Sequence, residues 1–160
     1  MLCTLAACNR EKSVTVSGDI PGLDTLGYRG DAIVEFDWSV GEIVKTLERL
    51  KLAENTLIVL CSDNGPEPGA GSAGPFRGSK TTLYEGGTRS PLIAWGPGLI
   101  DKAKAGTVNT TSIFAAFDLV PSLLTIAGID IPEAAHFDGQ NLAPVLLGRS
   151  TASRTAPIFW

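Results

Sequence analysis

Apolar side chains recur every three or four positions from Ile33 to Leu50, through Phe36, Val40, Ile43, Val44 and Leu47. A period near that of the α-helix predicts one amphipathic helix of roughly twenty residues, with Asp31 placed to cap its start. Gly41 inside it costs about 1 kcal/mol relative to alanine, which suggests that another backbone comes close there. After a turn at Leu52 to Asn55 the pattern changes. Thr56 to Ser62 is a short run rich in Leu, Ile and Val with no alternation, the pattern of a strand buried on both faces in a parallel sheet. Pro91 to Trp95 is a second short apolar run, closed by Gly96-Pro97-Gly98 as by a tight turn.

Beyond this point the pattern weakens and then recovers. Asn109 to Phe117 reads as strand or helix, because its β-branched start and alanine-rich end pull in opposite directions. A clearer helix follows: Asp118 as cap, Pro121 in the first turn, Leu123, Leu124 and Ile126 as an apolar face, and Gly128 as the stop. A last short helix is expected at about Leu142 to Leu147, ended by Gly148. Residues 9 to 27 are polar and broken by Gly and Pro, so 1–27 is expected to be a poorly ordered lead-in. Strands interleaved with helices make the fold class α/β.

Composition narrows the function. A chain of 160 residues has the size of one domain and can bury roughly 70% of the surface its unfolded form exposes. With 44% apolar and 19% charged residues it is ordinary globular material. The net charge of −4, with no basic run, repels a nucleic-acid backbone and excludes that class of partner. No apolar stretch approaches the ~20 residues needed to span a bilayer. Cys3, Cys8 and Cys61 are too few and scattered for a disulfide framework or a zinc site, and Cys61 reads as a small core residue. Leu5-Ala6-Ala7-Cys8 resembles the end of a bacterial lipoprotein signal, which would lipidate Cys8 and place the protein on a periplasmic membrane face. The apolar part is too short and lacks a basic start, so either translation begins upstream or the match is chance.

The candidate chemistry sits at the end of the first strand. Asp63 and Asn64 follow the apolar run directly, and in open α/β sheets ligands bind beyond the carboxyl ends of strands. Two adjacent oxygen donors there suggest a hard-cation site facing an anion, with Lys80 supplying further positive charge. Between them, Gly65 to Ser79 contains five glycines and three prolines. That composition fits a linker or an active-site loop; its bracketing by Asp63-Asn64 and Lys80 favours the loop, whose glycines let backbone amides approach a bound anion. His136, the sole histidine, falls in a weakly patterned segment and reads as a surface residue.

From Tyr28 onward the chain resembles the sulfatase family, within the alkaline-phosphatase-like superfamily. The resemblance rests on Ser62-Asp63-Asn64-Gly65-Pro66, Gly74-Pro75-Phe76-Arg77-Gly78-Ser79-Lys80, Tyr84-Glu85-Gly86-Gly87-Thr88-Arg89-Ser90-Pro91 and Trp95-Gly96-Pro97-Gly98, taken in that order. Asp37-Trp38-Ser39-Val40-Gly41, Asp118-Leu119-Val120-Pro121-Ser122 and Asp138-Gly139-Gln140-Asn141-Leu142 add support. The resemblance implies a partial alkaline-phosphatase-like sandwich over 28–160, with a mainly parallel sheet flanked by helices. It implies Asp63 and Asn64 as ligands of Ca2+, Lys80 as the contact to a sulfate oxygen, and a sulfate ester or sulfate anion as ligand. Arg77, Glu85 and Arg89 would brace the loop. Ala156 to Trp160 resembles a strand after which the family continues.

The family's nucleophile is a formylglycine made in a Cys/Ser-x-Pro-x-Arg context, and no Cys or Ser of this chain has Pro two positions on. Two further aspartates of the metal site, and the lysine and histidines beside the nucleophile, also have no counterpart. The resemblance therefore implies sulfuric ester hydrolase chemistry of arylsulfatase type that is inactive in this chain alone, and a missing N-terminal half as partner. Two alternatives remain open: a non-catalytic remnant that binds an anion or a partner chain, and a phosphoester hydrolase or phosphomutase of the same superfamily.

Overall fold

A computed structural model of the chain describes residues 27–159 apart from positions 70 and 133. The expected lead-in over 1–27 lies, Gly27 aside, outside the described residues, as does Cys8. The chain divides into two units, the first containing the residues to Ala53 and Cys61–Pro91, the second Glu54–Leu60 and Leu92 onward.

The first unit is dominated by helix α1, Gly27–Arg49. It begins four residues before Asp31, since nothing in Gly27-Tyr28-Arg29-Gly30 interrupts helical hydrogen bonding. Asp31 is thus in the second turn rather than at the cap, a correction to the sequence expectation. At the other end the Leu52 amide donates to the Leu47 carbonyl and the Lys51 amide to that of Glu48, with Lys51 at φ 58°. These bonds make a Schellman stop in which a lysine takes the left-handed position usually given to glycine. The apolar stripe forms as expected, but Ile33, Phe36, Ile43 and Leu50 are each about half exposed or more. Gly41 has no atom within 4 Å of where a Cβ would stand, so no backbone approaches it. Both departures have one cause: the described residues leave this helix face uncovered.

In the second unit, apart from Cys61, β1 (Ile58–Cys61) and β2 (Leu92–Trp95) form a two-stranded sheet. The pairing is antiparallel: Gly96, just after β2, lies against Thr56, just before β1. This corrects the expected mainly parallel sheet among the described residues. It also corrects the expectation of a strand buried on both faces, because only Val59 of β1 is buried. Two strands backed by one small cluster cover a single face, and Val59 meets Leu119 and Leu146 there, with Leu57, Phe114 and Ile126 around them. Cys61 is exposed, not a core residue.

Helices α3 (Leu119–Ile126) and α4 (Ala143–Leu146) complete that core. Asp118 precedes α3 without capping it. Its carboxylate, fully buried, accepts from the Ala115 and Gln140 amides at 2.8 and 2.7 Å and from Arg154 Nε at 3.2 Å. The helical backbone angles of Asp118 (φ −72°, ψ −16°) point the side chain away from the helix end and toward Arg154. Ser122 Oγ donates to the Asp118 carbonyl and accepts from the Leu142 amide, tying α3 to α4. Gly128 and Gly148 end these helices at φ 68° and 69°, as expected.

Asn109 to Ala115 forms neither strand nor helix: the Asn109 side chain accepts the Thr111 and Ser112 amides, folding the backbone into a local turn. Residues 156–159 are not a strand. The Ala156 and Pro157 carbonyls instead accept from Arg154.

Candidate functional site

The corner after β1 is built from backbone. Ser62 Oγ donates to the Asn64 carbonyl at 2.9 Å, and Ser90 Oγ donates to the Ser62 carbonyl at 2.8 Å. These bonds hold the turn that carries Asp63 and Asn64. The Asn64 amide nitrogen donates to the Gly65 carbonyl, which leaves its side-chain oxygen as an acceptor without a donor among the described residues. Asp63 is exposed, and its carboxylate makes no hydrogen bond or ion pair with the described residues.

Three glycines then clamp this corner to the following loop. The Gly65 amide donates to the Gly87 carbonyl and the Gly86 amide to the Arg77 carbonyl, both at 2.8 Å. A Cβ on Gly65 would overlap the Gly86 carbonyl oxygen, and one on Gly86 would overlap that of Gly78. The glycines are present because two chain segments touch here at backbone distance. Helix α2, Glu85–Thr88, is the short turn that presents Gly86 and Gly87 to both segments. The loop is further fastened by Thr82, whose hydroxyl donates to the Ser79 carbonyl and accepts the Ser79 amide.

Lys80 reaches the corner through its own backbone. Its amide donates to the Pro66 carbonyl at 2.9 Å, so Lys80 lies beside a residue only two positions past Asn64. Its ammonium group is half-exposed and stands 4.0 Å from Glu67 Oε2, the same oxygen that lies 3.7 Å from an Arg29 guanidinium nitrogen. Neither Glu67 nor Arg29 is singled out by the sequence. A carboxylate between two prolines inside the Gly/Pro loop was the available signal for Glu67; Arg29 had none.

The other loop residues meet one another. Arg77 stacks over the Tyr84 ring at 3.8 Å from its centroid, and Arg89 over Phe76 at 4.5 Å. Arg89 also pairs with Glu85 at 3.1 Å. His136 is exposed, as expected.

This order of strand end, glycine-clamped loop and lysine corresponds to a known family. The model of the family described as Sulfatase matches residues 6–129. The chain belongs to the sulfatase family. It is 41% identical over 145 residues to the N-acetylgalactosamine-6-sulfatase of Canis lupus familiaris, covering 87% of this chain and 26% of that protein. It is 37% identical over 151 residues to the steryl-sulfatase of Rattus norvegicus, covering 88% and 25%. A solved structure of a Pseudoalteromonas sulfatase superposes with a TM-score of 0.66 at 38% identity, over 78% of this chain and 25% of that one. The chain thus spans about a quarter of the length of the relatives it matches.

Calcium is the metal that this family implies, and the donor chemistry fits it in kind. A carboxylate and an amide oxygen, neither with a donor among the described residues, are hard donors of the type calcium selects. In number they fall short, since calcium takes about six to eight oxygens. Among the described residues no three His, Cys, Asp or Glu side chains converge to hold a metal.

Proposed function

We propose that this chain forms one wall of a sulfatase catalytic centre, with Asp63 and Asn64 as two ligands of Ca2+ and Lys80 as the contact to a sulfate oxygen. The reading is supported by the backbone clamp: the Gly65–Gly87 and Lys80–Pro66 bonds hold the backbone of Lys80 beside the turn that carries Asp63 and Asn64. Lys80 offers three N–H donors and a full positive charge to an oxyanion. Asp63 and Asn64 supply oxygens to the cation, and among the described residues no donor occupies the Asp63 carboxylate or the Asn64 side-chain oxygen. When bound, calcium supplies Lewis-acid neutralisation of sulfate charge, the type of stabilisation that a sulfuric ester hydrolase needs as the ester bond breaks. Arg77, Glu85 and Arg89 brace the loop through their aromatic and ionic contacts.

The ligand class is a sulfate ester, in keeping with relatives named for N-acetylgalactosamine 6-sulfate and for steryl sulfates. A second reading, a non-catalytic anion-binding remnant, is favoured by one feature: no Cys/Ser-x-Pro-x-Arg occurs in the 160 residues. Isothermal calorimetry with calcium and with sulfate, on the wild type and on Asp63→Ala and Lys80→Ala, tests the wall itself. Calcium heat that vanishes in Asp63→Ala, and sulfate heat that vanishes in Lys80→Ala, is the expected result. Binding indifferent to both substitutions would sink the proposal.

A further inference from the structure

Lys80 is not alone at its corner. The Glu67 carboxylate lies between two cations, with the same oxygen 4.0 Å from Lys80 Nζ and 3.7 Å from Arg29. Its position is set by backbone rather than by the ion pairs: the preceding carbonyl, that of Pro66, accepts the Lys80 amide at 2.9 Å, and the Glu67 carbonyl accepts the Gly71 amide at 3.2 Å. All three charged groups belong to the first unit. The side chains of Glu67, Lys80 and Arg29 are each about half exposed, so any of the three can swing while the backbone stays.

Two cations share the one Glu67 oxygen, at 3.7 and 4.0 Å, both longer than a hydrogen bond, so the pairing is loose. A sulfate group competes with Glu67 for the same donors, since both offer planar or tetrahedral oxygens to ammonium and guanidinium N–H groups. We infer that Glu67 is the resident counter-anion of a two-cation seat made by Lys80 and Arg29, displaced when a sulfate group binds, so that Arg29 becomes a second oxyanion contact. This inference rests on the reading of Lys80 given above and extends it to a residue twenty-nine positions before the start of β1.

Nuclear magnetic resonance on the intact chain, with inorganic sulfate as the probe, tests it. Without sulfate, Glu67→Gln is expected to move the Lys80 13Cε and Arg29 15Nε resonances together; if neither moves, the shared pairing is absent and the inference falls. With sulfate, Glu67→Gln is expected to tighten binding about threefold and Arg29→Gln to weaken it about threefold, the scale of half-exposed ion pairs. Sulfate binding lost in Lys80→Ala but unchanged in Glu67→Gln and Arg29→Gln overturns this inference alone. Sulfate binding that survives Lys80→Ala overturns the reading on which it rests.

Discussion

Gly86 has no room for a methyl group, because the Gly78 and Arg77 carbonyl oxygens occupy the place where it would go. The obstruction is backbone, which cannot turn aside as a side chain can. Gly86→Ala is therefore expected to lower the urea midpoint by an amount equivalent to about 1–3 kcal/mol, the usual range for overpacking. Calcium-dependent heat should fall with it, because the same glycine joins the Asp63 corner to the Lys80 loop. Lys51 presents the opposite case. It holds φ 58° at the end of α1 with no glycine to relieve it, at a cost of about 1–2 kcal/mol for an L-residue. Lys51→Gly is expected to stabilise the chain by about 0.5 kcal/mol, part of the gain being offset by the greater freedom of glycine when unfolded. An unchanged or lower urea midpoint would refute this.

Elements were more legible in the sequence than their surroundings. The period of α1, the apolar runs of β1 and β2, and the glycines that stop α3 and α4 are local signals, and each element is where those signals put it. Sheet direction, burial and caps were not legible, because they depend on residues far away in sequence. Asp118 looks like a cap until Arg154, thirty-six positions on, takes its carboxylate. That the Lys80 loop folds back on the turn after β1 agrees with motif and spacing, whereas the Glu67–Arg29 pairing had no such signal, since a pairing across a helix and a loop leaves no periodic trace. The Asp118–Arg154 pair also predicts an outcome at this scale. Arg154 is buried and uses its fork on Asp118, Asp138, Ala156 and Pro157 at once. Arg154→Ala removes the ion-pair partner of a buried carboxylate and leaves Asp118 only its two backbone amides, which typically costs about 3–5 kcal/mol. Arg154→Lys should recover little of that, because a point charge cannot replace the planar fork. Both values are readable from denaturant unfolding of the chain, followed by tryptophan fluorescence.

For the whole molecule, the proposed function would have a cation and an oxyanion share one corner. Two side-chain ligands would hold calcium weakly, and a half-exposed ammonium would hold sulfate weakly. If the two ligands sit side by side, each lowers the cost of placing the other, because a divalent ion next to an oxyanion replaces like-charge or unpaired states with a neutralised pair. Binding free energies must then be reciprocal: sulfate should tighten calcium by the same factor that calcium tightens sulfate, about fivefold at the low end of known couplings. Calorimetric titration of calcium at zero and saturating sulfate, and the reverse titration, gives both factors independently. Equal factors above one would place the ligands in contact, whereas a factor of one in both directions would separate them, whatever their individual affinities. The same geometry limits what the chain can do with a bound ester. With neither a Cys/Ser-x-Pro-x-Arg nucleophile nor the remaining calcium oxygens among its residues, the purified chain is expected to release sulfate from an aryl sulfate no faster than buffer does, with or without calcium. Turnover above that background, abolished by Lys80→Ala, would require a nucleophile that this arrangement of residues does not contain.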